Sequence, residues 1–173
     1  MSASRARKAE RRPGPSLSLS IQLGDGVAEL PASRAQLRRW VLAAIERDAA
    51  LTLRFVGQAE GRMLNREYRG RDYATNVLTF AYEDSAPGTE TAARGASGGA
   101  WPVEADIVVC MPVLVREARA SRLPLADHLA HLVVHGVLHA CGHDHEHDDE
   151  AQRMEAREAE VLARFRIADP YRR

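Results

Sequence analysis

Lysine is almost missing from these 173 residues: Lys8 stands alone, and arginine carries the rest of the positive charge. No net charge remains either. The 24 basic residues meet 24 acidic ones, so no global field draws the chain to nucleic acid or to a membrane surface. Cysteine is scarce. Cys110 and Cys141 fit no metal or disulfide spacing, which implies free thiols in a reducing compartment. No apolar run is long enough to span a bilayer, and the N-terminus lacks the apolar stretch of a secretory signal. A cytoplasmic protein with no membrane partner is expected. The length suits one domain with a real core, and neither an internal repeat nor a domain boundary is visible.

Residues 1–15 hold five basic side chains against one acidic and show no apolar periodicity. They read as a disordered basic arm, suited to RNA phosphates in an unspecific way. The remainder, 16–171, reads as one folded domain. Leu17, Leu19, Ile21 and Leu23 alternate with polar residues, as in a half-buried strand. Ser33 is a candidate N-cap for a helix carrying Leu37, Trp40, Val41, Ala44 and Ile45. Leu51, Leu53 and Phe55 alternate again. Glu60 to Tyr68 suggests a short helix, followed by a polar loop and a strand from Asn76 to Tyr82. Residues 84–101, rich in Gly, Ala, Ser and Thr, read as a surface loop. Asp106 to Cys110 is a short apolar strand. Helices are expected over Pro112–Ser121, Leu125–Ala140 and Asp148–Arg166, the last packing through Met154, Val161, Leu162 and Phe165. Strands and helices alternate irregularly. The expected fold is therefore α+β, a single domain with a small mixed four-stranded sheet and about five helices around it.

All seven histidines lie between His128 and His147. His128, His131, His135 and His139 form a polar stripe on an otherwise apolar helix, so the stripe is expected to face a site. His135 and His139, four apart, project from one face. Gly142 can end the helix in a left-handed turn and let the chain bring His145 back to the same point. Three imidazoles at the end of a central helix leave one coordination position open, the arrangement of a catalytic zinc site with one ion per chain. The spacing is also that of the metzincin proteases. Those enzymes carry a Glu after the first His as general base, and here that position is Gly136. Peptide hydrolysis by that route lacks its base. Cys141 faces elsewhere on the helix, and Cys110 is expected to be buried.

The run His135-Gly136-Val137-Leu138-His139 with Gly142, Asp144 and His145 resembles the signature of the YbeY family, bacterial endoribonucleases of ribosomal RNA maturation. Leu64-Asn65, Tyr68-Arg69-Gly70-Arg71-Asp72 and Thr75-Asn76-Val77-Leu78-Thr79-Phe80 resemble a second block, and Asp106-Ile107-Val108-Val109-Cys110 a third. The likeness covers roughly residues 50–171. It implies a metal-dependent endoribonuclease specific for single-stranded RNA, which matures the 3′ end of small-subunit ribosomal RNA and serves ribosome quality control. It implies His135, His139 and His145 as zinc ligands and Arg69 as the catalytic arginine. It also implies RNA and the ribosome as partners, with no DNA. His143 stands where the family often has Tyr, and offers either a further ligand or a side chain for the substrate cleft. Ala105 stands where Gly is usual. His128, His131, Asp144 and Asp106 are candidates for orienting the ligands. Two other readings remain: a metal-binding ribosome assembly factor without turnover, and the protease.

Overall fold

The computed structural model describes residues 14–82, 102–143, 145 and 147–172. Most of the basic arm, the whole loop 84–101 and Asp144 lie outside the described residues. Four strands form one mixed sheet: β1 (Leu17–Leu23), β2 (Ala49–Val56), β3 (Val77–Ala81) and β4 (Val103–Cys110), in the order β1-β2-β4-β3. β1, β2 and β4 run parallel, while β3 is antiparallel to β4 and forms an edge. Five helices accompany them among the described residues: α1 (Arg34–Ala44), α2 (Gln58–Arg69), α3 (Met111–Ala120), α4 (Leu125–Ala140) and α5 (Asp148–Ala163). The expected α+β domain is what forms.

The alternation in each strand decides which face is buried. Leu51, Leu53 and Phe55 of β2 and Ala105, Ile107 and Val109 of β4 turn to one side, where they meet α1, α4 and α5 in the main core. Val56, Leu78, Val108 and Cys110 turn to the other side and form a smaller core with Leu64 of α2 and Val113 of α3. Ser33 caps α1 as expected, with a reciprocal bond from its backbone N–H to the side chain of Gln36. Both thiols are packed, and burial pushes each of them up from its ordinary pKa. No helix among the described residues is long and apolar enough to cross a membrane.

One boundary differs in a way that matters. The loop expected after Tyr68 starts later, because α2 includes Arg69 and ends at Gly70 in the left-handed region, φ 66°. The Gly70 N–H reaches the Arg66 carbonyl at 3.0 Å, and the Arg71 N–H reaches that of Asn65 at 3.4 Å. Arg69 therefore sits on the last turn of a helix and not on a free loop.

Candidate metal centre

α4 is buried on almost every side, from Leu129 to Ala140, except along its histidines. Its seating depends on Gly136. A Cβ there would lie 2.7 Å from Ile107 Cγ2 and 3.3 Å from Thr79 Oγ1. The missing side chain lets the helix rest directly on β3 and β4, and Thr79 Oγ1 donates to the Gly136 carbonyl at 3.3 Å. That contact turns His135 and His139 toward a cleft beside the β3 edge. The helix closes with bonds from Gly142 N–H to the His139 carbonyl and from His143 N–H to the Leu138 carbonyl, both 3.0 Å. Gly142, φ 95°, takes the left-handed turn that brings His145 back.

The three rings converge. Centroids are 4.6 Å apart for His135 and His139, 4.9 Å for His139 and His145, and 5.9 Å for His135 and His145. One nitrogen from each lies within 4.8 Å of the others. The Nε2 atoms of His135 and His139 face each other at 3.1 Å. Tetrahedral zinc with bonds of 2.0–2.1 Å would hold two such nitrogens about 3.3 Å apart, so the donor set fits the ion.

Behind the candidate ligands sits a residue that is not among the candidates from sequence. Glu158 of α5 is fully buried. Its Oε1 meets His135 Nδ1 at 2.8 Å; its Oε2 meets His131 Nε2 at 2.8 Å and accepts from the Tyr171 hydroxyl at 2.5 Å. A carboxylate accepts, so the proton of His135 sits on Nδ1 and the Nε2 lone pair is left for a metal. Burial by itself would raise the Glu158 carboxyl. The bonds from His131, His135 and Tyr171 outweigh it and hold the group at about 2. Burial and then Glu158 push the Tyr171 phenol up. His131, His135 and Glu158 also bring one ligand atom each within 4.8 Å of the others. The three-histidine set is the better candidate, because Glu158 is already used by three hydrogen-bonding partners. The signal for Glu158 was in the sequence: it interrupts the apolar series Met154, Val161 and Leu162 at helical spacing.

Other candidates go elsewhere. His128 Nε2 pairs with Glu117 at 2.9 Å, and Asn76 Nδ2 donates to the same carboxylate at 3.1 Å. Asp106 lies on the opposite face of β4 and accepts from Tyr82 at 2.5 Å. His143 Nε2 meets Glu46 at 3.2 Å and does not line the cleft. Of the residues proposed to orient the ligands, only His131 is seen to share their network.

The cleft beside the three histidines holds about 700 Å³ and is lined also by Arg69, Arg71 and Thr75. Asp72, the natural partner for Arg69, is taken by Arg62 in a two-pronged pair at 2.8 and 2.6 Å. Arg62 holds the Asp72 carboxyl below its ordinary value. Among the described residues no ion pair holds Arg69, and none of the cleft's lining residues is a carboxylate.

Fold and site together define a class: an α+β domain presenting three imidazoles, a set that could hold a metal ion, into an arginine-flanked cleft. The family model described as endoribonuclease YbeY matches residues 28–166. An endoribonuclease YbeY of Cupriavidus pinatubonensis is 53% identical over 161 residues, covering 91% of this chain and 73% of that protein. One of Bordetella pertussis is 56% identical over 165 residues, covering 90% of this chain and 96% of the other. A solution structure from Thermotoga maritima has a TM-score of 0.48 at 25% identity, covering 90% of this chain and 99% of that one. The chain belongs to the endoribonuclease YbeY family.

Proposed function

We propose that this protein is a zinc-dependent endoribonuclease that cuts single-stranded RNA and matures ribosomal RNA, with the 3′ end of the small-subunit RNA as its target. Ribosome quality control, a cytoplasmic setting and the ribosome as partner follow from the same reading. The observation that carries it is the convergence of His135, His139 and His145 beside Arg69, which no described residue holds in an ion pair. Family membership supports the RNA substrate.

His135, His139 and His145 would hold the ion, which supplies Lewis-acid polarisation of a phosphoryl oxygen and an acidified water. Glu158 keeps the proton of His135 on Nδ1 and fixes the ring's direction. Arg69 offers a planar fork of donors to a phosphate that gains charge during the reaction. Arg71 adds a second cation on the same wall. None of the described lining residues is a carboxylate, and a bound ion would supply the acidity that a water or the substrate's own 2′-hydroxyl needs to attack. A peptidase is not supported. Position 136, where such an enzyme carries its base, is a glycine packed so close to Ile107, Thr79 and Val77 of the sheet that a side chain has no room there.

The test is a single-turnover assay on single-stranded and duplex RNA with added zinc. His135→Ala and His139→Ala should lose both bound zinc and cleavage. Arg69→Ala should keep the zinc and lose cleavage. RNA binding without turnover by zinc-loaded wild type would favour an assembly factor. Full activity in a zinc-free variant would overturn the reading.

A further inference from the structure

The cleft uses one face of the edge strand β3; the other face carries a second feature. Val77, Thr79 and Ala81 line the cleft. Alternation then turns Leu78, Phe80 and, just past the strand, Tyr82 to the opposite side. There the Tyr68 ring lies against Phe80, with centroids 4.7 Å apart and planes tilted by 60°. Tyr68 is 65% exposed and Tyr82 58% exposed. Neither is at rest in bulk water by accident of a floppy loop. Tyr68 is held on the last turn of α2, beside Arg69, and Tyr82 is tied through its hydroxyl to Asp106. A chain with only 5% aromatic residues thus places two exposed rings, each held by one contact, around the strand that borders its cleft.

We propose that Tyr68 and Tyr82 form a platform on which a base next to the cut phosphate stacks. The inference rests on the RNA reading above and deepens it by assigning a nucleobase site. The geometry gives the reason. Arg69 follows Tyr68 directly and lines the cleft, so a strand crossing the β3 edge meets a cation for its phosphate and a ring for its base in succession. Every base has a π face, so the platform accepts any sequence. A base inside a duplex already has both faces stacked and gains nothing from it. The platform therefore favours single strands without reading letters.

The experiment measures cleavage kinetics of the zinc-loaded protein on single-stranded RNA, with abasic sites scanned through the two positions on either side of the cut. Tyr68→Ala and Tyr82→Ala should each raise KM by about 5- to 100-fold with kcat largely kept, the range for loss of one base stack. Tyr68→Phe keeps the ring and should behave as wild type. On the substrate abasic at the stacked position, wild type and Tyr68→Ala should become equal. Photo-crosslinking with 4-thiouridine at that position should label Tyr68 or Tyr82. An unchanged KM in both alanine variants, or an equal loss on intact and abasic RNA, overturns the platform while leaving the nuclease standing. No cleavage or binding of RNA by wild type would bring down the nuclease reading itself.

Discussion

Glu158 shows what one side chain can decide. Its two oxygens serve two histidines and a tyrosine, and the His135 contact sets which imidazole nitrogen is free. Glu158→Gln offers one acceptor and one donor where two acceptors are needed. Zinc affinity, read by competition with a chromogenic chelator, should fall by about 10- to 100-fold. Tyr171→Phe removes only one donor and should lose less. The carboxyl also gives the zinc-free protein a pH signature. Its folded value is about 2 against an ordinary 4.5, so the stability it contributes is complete above about pH 4.5 and lost as pH falls toward 2. Denaturant titrations across that window should slope downward for wild type, and Glu158→Gln should flatten the slope. At this scale much was legible: the three histidines stand out by type and spacing, and Arg69 through the resemblance of its block to the family's. Glu158 left only a faint mark, as the break in the apolar series Met154, Val161 and Leu162, because a glutamate on a charged helix looks solvated until the face it occupies is known to be buried.

The element that most constrains the molecule is α4. Its close approach to β3 and β4 is possible only where the side chain is absent, at Gly136. Gly136→Ala brings a methyl within 2.7 Å of Ile107 Cγ2. It should destabilise the fold by about 1–3 kcal/mol through overpacking, measured by urea denaturation, and displace His135 with it. By sequence alone this glycine stands where a protease of that spacing carries its base. The structure gives the glycine a reason: the position is a packing contact. The end of α2 teaches the same lesson from the other side. Arg69 was read into a polar loop because Gly70 marks a break, yet a left-handed glycine cap follows the last helical residue, and that residue is Arg69. A break signal locates a boundary only to within a residue or two.

Across the whole molecule, the candidate centre joins three separate stretches: α4, the turn after it, and α5 through Glu158. An ion held there binds the folded chain and not the unfolded one. Free zinc at one hundred times its Kd should therefore add about 2.7 kcal/mol of stability. Thermal melts at rising zinc should show the gain, a chelator should reverse it, and His139→Ala should show none of it.

Local pattern was enough for the element order, for the mixed α+β architecture and for the convergence of His135, His139 and His145, because strand alternation, helical spacing and a glycine turn are properties of neighbouring residues. Chain distance hid the rest. Glu158 lies 23 positions from His135, Asp72 is drawn off by Arg62 ten positions before it, and Tyr68 finds Phe80 across the gap between a helix and a strand. Which carboxylate backs a histidine, which cation no described residue pairs and which ring stays exposed are decided by packing. Packing brings together groups whose separation along the chain carries no local signal.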